Sequence, residues 1–264
     1  MYEAYYAPLP DPGRYLERIG FTGEVEHSQE GLSALAYAHQ TTVPFENYDI
    51  CELGRPISLE VEKLYEKIVL NRRGGYCFEM NGAFAALLTA LGFDVWPILA
   101  RLYRAPLGEE ATPPSHRVNL VHLDGKKYIV DVGFGGPMSR GALLLEADTV
   151  QDVRGNLYHF EKRPHNRWAL YRESSEGEIV PMLGFTETPA EPVDFIAPNF
   201  YTSTNPESMF VRGRIANLRR NDAHASISNG EFHQIRDGVD TTVAIESKAQ
   251  EFAILEEHFG IVLR

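Results

Sequence analysis

Residues 73–92 read Arg73-Gly74-Gly75-Tyr76-Cys77-Phe78-Glu79-Met80-Asn81-Gly82-Ala83-Phe84-Ala85-Ala86-Leu87-Leu88-Thr89-Ala90-Leu91-Gly92. From Cys77 the large apolar residues fall at Met80, Phe84, Leu87, Leu88 and Leu91, a helical stripe, and Gly92 suits the left-handed position after a helix. One of only two cysteines therefore stands in a first helical turn, directly after a Gly-Gly turn. Unpaired backbone N–H groups and the positive end of the helix dipole favour a thiolate there, and Arg72 and Arg73 lie just upstream. Cys77 is thus a candidate nucleophile. The same stripe also supports packing alone, because cysteine is among the most buried residue types. On this stretch by itself the two readings balance.

Working outward, residues 1 to about 93 read as helical. Tyr15, Leu16 and Ile19 predict a short first helix, and Leu32, Leu35 and Ala36 a second. Val61, Leu64, Tyr65, Ile68 and Val69 predict a third, with Ser58 as its cap. From Val95 to about Tyr201 the period moves towards two. Strands are expected at Val95–Tyr103, Arg117–Leu123, Lys127–Phe134, Leu157–Lys162 and Arg167–Tyr171, forming a β-barrel or folded sheet. The last part is expected to carry strands near Met209–Leu218, a hairpin turn at Asn229-Gly230 and a final helix. Ser247 and Gln250 predict a capping box for that helix, Phe252, Leu255 and Phe259 its buried stripe, and Gly260 its end.

A chain of 264 residues suggests about two domains and can bury an ample core without disulfides. With 44% hydrophobic and 23% charged residues it reads as an ordinary globular protein. The net charge of −12 disfavours nucleic acid as a partner, and an anionic co-substrate would need a local positive or N–H-lined site. Cys51 and Cys77 make no disulfide framework, and no early apolar run has signal-peptide or membrane-spanning length, so the cytoplasm is the expected compartment, with no membrane partner. No metal is expected. There is no C-x-x-C or H-E-x-x-H, and the two cysteines are too far apart in sequence to resemble a zinc site.

A cysteine nucleophile needs a base within hydrogen-bond reach and a third group to orient that base. The stretch His116-Arg117-Val118-Asn119-Leu120-Val121-His122-Leu123-Asp124-Gly125-Lys126-Lys127-Tyr128-Ile129-Val130-Asp131 narrows nine histidines. Asp124-Gly125 between two alternating runs is a strong hairpin signal. With those two residues as the loop, Leu123 pairs with Lys126, Val121 with Tyr128 and Val118 with Asp131. Asp131 then shares a face with His116 as a diagonal neighbour, within side-chain reach. His122 lies on that face too, but roughly 13 Å along the strand from Val118. A three-residue loop would flip the relative faces, so the inference rests on the turn type. Taken singly, a strand histidine is more often surface or core, and a strand-end Asp more often a turn residue. Their joint placement with Cys77 favours a Cys-His-Asp triad over packing. Cys51, without a helix start, is expected to be an unactivated thiol.

These residues resemble the arylamine N-acetyltransferases. The resemblance is carried by Arg73-Gly74-Gly75-Tyr76-Cys77-Phe78-Glu79, Pro44-Phe45-Glu46-Asn47, Arg55-Pro56-Ile57, His116 in its strand, Val130-Asp131-Val132-Gly133-Phe134-Gly135, and Tyr201-Thr202-Ser203-Thr204-Asn205-Pro206, and it extends over essentially the whole chain. It implies a multi-domain α+β fold with a papain-like Cys-His-Asp arrangement: a helical domain at 1–93, a β-barrel at 94–201 and an α/β lid with a C-terminal helix at 202–264. Cys77 would be the nucleophile, His116 the base and Asp131 its orienter, in a ping-pong transfer of acetyl from acetyl-CoA to an arylamine, arylhydrazine or arylhydroxylamine. The oxyanion would use backbone N–H groups, including that of Cys77. Phe134 and Phe45 would line the acceptor site, and each could equally be core. Family analogy puts CoA near Thr112 and the Gly133, Phe134 and Gly135 backbone, and makes Arg73 and Glu46 a buried supporting pair. Xenobiotic metabolism and room for a homo-oligomer follow from the same resemblance.

Met80 stands where many relatives carry a polar residue, and Asn205 where bacterial relatives often have His before Pro. Both bear on donor and acceptor choice. The family includes macrolactam-forming amide synthases, which keeps another acyl thioester open as donor. A papain- or transglutaminase-like thiol enzyme shares the triad logic, and a catalytically silent binding protein would keep the scaffold without it.

Overall fold

Asp11 accepts the Arg14 N–H at 3.0 Å and Pro12 takes the first helical position, which starts α1 (Pro12–Arg18). In this computed structural model, residues 1–103, 112–174, 176–220 and 223–263 are described. Ser28 caps α2 (Gln29–Thr42) by accepting the Gly31 N–H at 3.0 Å. The two-residue strand β1 (Phe45–Glu46) and the short α3 (Tyr48–Cys51) follow. The next helix, α4 (Val61–Tyr65), runs on as a π turn over Glu66–Leu70. Its N-cap is Glu60, and Ser58 acts just ahead of it by accepting the Glu60 N–H at 3.2 Å. All five of its expected apolar positions are buried.

The helix expected from the opening stretch is α5 (Cys77–Ala90), with Gly92 at φ 90° behind it. It is buried more widely than a one-sided stripe implies, at Phe78, Ala83 and Ala85 as well, because it lies between α4 and the following sheet.

That sheet comprises β2 (Asp94–Leu102), β3 (His116–Leu123), β4 (Lys126–Val130), β5 (Leu143–Leu144), β6 (Gln151–Val153), β7 (Asn156–Arg163), β8 (Arg167–Glu173) and β9 (Ile179–Thr186). The order is β5-β4-β3-β2-β9-β8-β7-β6, antiparallel throughout, and a bridge from Ala147 to Phe160 brings the two ends together into a nearly closed barrel. Ile98, Ala100, Val118, Leu120, Ile129, Phe160, Leu170 and Leu183 fill it. Asp124 (φ 51°) and Gly125 (φ 72°) form the two-residue turn, and Leu123 faces Lys126 as the spacing predicts. Of the strands in this sheet that the spacing does not predict, β5, β6 and β9, the longest is β9. Pro181 and Gly184 mask it in sequence: Pro181 sits at a register shift opposite Tyr171, and a Cβ on Gly184 would collide with the Tyr103 hydroxyl.

Two further expectations are corrected. Ile196–Thr204, across the end of the stretch whose period moves towards two, is helix α6, and Met209–Arg212, read as strand, is helix α7, started by the Ser208 hydroxyl accepting the Phe210 N–H. The strand proper is β10 (Ala216–Arg219), followed by β11 (Ala223–Ser228), β12 (Glu231–Arg236) and β13 (Val239–Ala244). Asn229-Gly230 makes the expected turn. The sheet order is β1-β10-β11-β12-β13, so it joins residues from the first and third of the expected segments. Helix α8 (Lys248–Ile254) ends through a π turn at Gly260, φ 67°. Ser247 accepts the Gln250 N–H at 3.2 Å, but Gln250 returns to Glu246 rather than to the cap. Phe252 is 39% exposed and drops out of the predicted stripe. Glu251 takes the inward place instead, accepting the Tyr48 hydroxyl at 2.7 Å. Among the described residues no helix is long and apolar enough to cross a membrane.

Candidate active site

Cys77 is the first residue of α5, where the leading N–H groups have no partner inside the helix. Glu79 reaches back to accept the Tyr76 N–H at 3.1 Å, which holds the turn into the helix. The Cys77 Sγ lies 3.9 Å from the Ser115 carbonyl and hydrogen-bonds with His116, the first residue of β3. His116 Nε2 is 2.6 Å from Asp131 Oδ2, just beyond the end of β4. The contact follows from the hairpin: Asn119 pairs with Val130, so Asp131 comes opposite Val118, one diagonal step from His116. His122 stands apart, half-buried against Trp96.

Burial alone would push the imidazole of His116 down. The charge of Asp131, the hydrogen bond to it and the hydrogen bond with Cys77 outweigh that, and raise it to about 10. The balance favours the protonated imidazole, held between the Asp131 carboxylate and the Cys77 sulfur.

Asp131 is itself held by Gly133 and by two residues that sequence reading missed, Asn81 and Gln40. Its Oδ1 accepts from Asn81 Nδ2 at 2.8 Å and from the Gly133 N–H at 2.9 Å. Asn81 also donates to the Arg117 carbonyl at 2.6 Å, and its Oδ1 accepts the Val132 N–H at 2.9 Å. Gln40 Nε2 donates to the Asp131 carbonyl at 2.8 Å. The available signal for Asn81 was its position four residues after Cys77, hence on the same helical face. Gly133 is required where it stands, since a Cβ would lie 2.9 Å from the Cys77 Cα and 3.0 Å from Asn81 Nδ2.

A cavity of about 300 Å³ opens on this group, and Phe45, Cys77, Thr112, His116, Gly133, Phe134, Gly135, Tyr201 and Phe210 all face it. Asp131 lies behind it, 2% exposed. Phe134 meets His116 edge-on at 5.8 Å. Gly135 (φ 72°) lies so close to Phe45 that a Cβ would be 2.7 Å from its ring. Phe45, Phe134 and Gly135 also front an adjoining recess that contains Arg140 and Arg219.

Beneath the Gly-Gly turn, Arg73 Nη2 is 2.7 Å from Glu46 Oε1 and 3.2 Å from Asp49. Lys67 bridges Asp49 at 2.7 Å and Glu79 at 2.6 Å. Burial outweighs the nearby Lys67 charge at Glu79, whose carboxyl is raised to about 6. Glu46, fully buried, also accepts the Tyr48 N–H at 2.8 Å. Arg73→Met leaves Glu46 without its main counter-ion. Its expected cost is about 3 kcal/mol, read from the urea midpoint, because breaking one side of a buried pair strands a charge; a loss under about 1 kcal/mol would show the pair to be dispensable. Burial pushes the Cys51 thiol up to about 12. Among the described residues no group of three or more His, Cys, Asp or Glu side chains could hold a metal ion.

A thiol at a helix N-terminus beside an imidazole that is hydrogen-bonded to a carboxylate is the papain-like arrangement of cysteine-dependent acyl transfer. The sequence matches the N-acetyltransferase family over residues 28–264, and the chain belongs to that family. It is 34% identical to an arylamine N-acetyltransferase of Mycolicibacterium smegmatis over 257 residues, covering 96% of this chain and 92% of that protein. The solved arylamine N-acetyltransferase of M. tuberculosis superposes with a TM-score of 0.87 at 32% identity, over 95% of this chain and 94% of the other. The Mycobacterium marinum arylamine N-acetyltransferase in complex with CoA gives a TM-score of 0.86 at 31% identity, over 95% and 93%.

Proposed function

We propose that this protein is an acetyl-CoA-dependent arylamine N-acetyltransferase working through Cys77, with His116 as proton carrier and Asp131 as its orienter. The observation that carries the reading is the Cys77–His116–Asp131 contact chain opening on an aromatic-lined cavity, in a chain of the N-acetyltransferase family. The Cys77 thiolate attacks the thioester carbonyl while first-turn N–H groups, including its own, receive the developing oxyanion. As the carbon–sulfur bond to CoA breaks, His116 gives its proton to the departing thiolate, leaving acetyl-Cys77 and a neutral imidazole. The arylamine nitrogen then attacks the acetyl carbon, His116 takes up the amine proton, and Cys77 leaves as a thiolate facing an imidazolium again. Thioester exchange is nearly isoenergetic and amide formation downhill, so the site has only barriers to lower.

The rings of Phe45, Phe134, Tyr201 and Phe210 suit a flat aromatic acceptor. Hydrazines and hydroxylamines offer the same nucleophilic nitrogen, and clearance of foreign amines is the matching physiological role. Thr112 and the Gly133–Gly135 backbone would meet the pantetheine end of CoA. In a chain of net charge −12, Arg140 and Arg219 in the adjoining recess supply the positive site its phosphates need. Arg140→Ala is expected to raise the KM for acetyl-CoA about fivefold and leave that for p-nitrophenyl acetate, a donor without phosphates, unchanged; equal shifts for both donors would remove Arg140 from phosphate binding. Two free cysteines accord with a reducing cytoplasm.

The deciding experiment follows CoA release from acetyl-CoA with and without an aromatic amine, on wild type and Cys77→Ser. Amine-stimulated release confined to the wild type carries the proposal. No release of CoA under any condition refutes acetyl-CoA as donor and turns the search to other thioesters.

A further inference from the structure

On the side of α5 away from Cys77 lies a cavity of about 790 Å³ that shares no lining residue with the one over the thiol. Its wall is mostly apolar. Helix α5 contributes small side chains there, Gly82, Ala85 and Ala86 among them, and Leu59, Leu64 and Val95 face them. Into this wall comes one cation, Arg117.

Arg117 follows His116 on β3, so the two side chains leave opposite faces of the strand. It is only 5% exposed, yet its guanidinium has no ion pair or hydrogen bond with any described residue, and its Nε is buried without a partner. The Phe195 ring stacks on it, 4.5 Å away. Gly82 makes room for it: a Cβ there would stand 3.0 Å from Nη1. A guanidinium this buried, with no counter-ion beside it, can receive an anion that enters the cavity, because burying a charge without a counter-ion is costly. Glu191, the one carboxylate among the lining residues, sits exposed at the rim and hydrogen-bonds with Tyr6. It does not neutralise Arg117.

We propose that this cavity is a second binding site, for a small monocarboxylate with an apolar body, its carboxylate on Arg117 and its body along the small-residue face of α5. A single fork of N–H donors matches one carboxylate. The rim carboxylate and the acidic chain disfavour more highly charged anions. The volume falls in the range of small-molecule sites.

Titration calorimetry with decanoate, and with decan-1-ol as its uncharged counterpart, tests this on the full chain. Wild type is expected to bind one decanoate per chain. Arg117→Met should weaken decanoate about tenfold or more and leave decan-1-ol within about twofold. Ala86→Trp, which fills the cavity and keeps the guanidinium, should weaken both; if Arg117→Met fails to fold by its melting curve, this variant decides. Alkylating Cys77 with iodoacetamide should change neither affinity. The proposal is overturned by absence of saturable decanoate binding, by undiminished binding in Ala86→Trp or in folded Arg117→Met, or by loss of binding on Cys77 alkylation, which would place decanoate in the catalytic cavity. The alkylation arm separates this outcome from any failure of the acetyl-transfer reading.

Discussion

Cys77→Ser is expected to lower acetyl transfer by about a thousandfold or more while the protein stays folded. Serine is close in shape to cysteine, and the hydroxyl would keep the Ser115 carbonyl and His116 as neighbours. What it loses is the anion. A thiol is a far stronger acid than a hydroxyl, and a serine hydroxyl is far too weak an acid to donate its proton and wait as alkoxide. Intact-mass analysis after acetyl-CoA addition should therefore find an acetyl adduct on wild type and none on the variant. An adduct on the serine protein, or turnover within tenfold of wild type, would move the nucleophile elsewhere.

Asp131→Asn is expected to cost about 10³- to 10⁴-fold in kcat/KM, by analogy with the loss seen when a triad carboxylate becomes an amide. The reason is the donor count at this carboxylate. Asn81 and the Gly133 N–H both donate to Oδ1, and His116 donates to Oδ2. An amide must turn its NH₂ towards one of those positions. Facing Oδ1's partners it opposes two donors; facing His116 it forces the proton onto the nitrogen beside Cys77. Either way the charge that raises His116 is gone, and burial drives the imidazole neutral.

The same substitution has a signature in stability. The folded-state value of His116, about 10, lies above its ordinary value near 6.5, so the folded form binds the proton more tightly. The ion pair's contribution is thus fully present below about pH 6.5 and lost as pH rises through about 10. Melting temperatures of wild type and Asp131→Asn should differ most near pH 6 and converge towards pH 10. A gap constant across that range would contradict the charge on His116, and activity within tenfold of wild type would contradict the orienting role.

The geometry of the candidate site was legible where it depended on local rules. Asp124-Gly125 defines a turn type, the turn type defines a register, and the register puts His116 and Asp131 within reach without any knowledge of the rest of the chain. The start of α5 was legible for the same reason, from a glycine turn and a period. What stayed hidden was non-local. Gln40 meets the Asp131 carbonyl across 91 positions, and nothing in its neighbourhood marks it. Strand β1 is two residues long and takes its partners, Gly75 and β10, from distant parts of the chain. Strand β9 was disguised by residues that its bulge and a close-packed tyrosine require. Met209–Arg212 has strand-like composition, and a serine cap decided otherwise. Arg117 was placed only as the first residue of a strand, and its burial between Gly82 of α5 and the Phe195 ring has no local sign.

Strand β1 also bears on how the enzyme comes into being. Phe45 bridges Gly75 beside the nucleophile turn, Glu46 donates its N–H to the Gly75 carbonyl and pairs with Arg73, and both residues align with β10, about 170 positions later. Asn47 extends the same seam, gripping the carbonyls of Phe210 and Gly213. On the ribosome, Cys77 emerges long before the strand that braces its turn. The bracing of that turn is therefore completed only once β10 has been made.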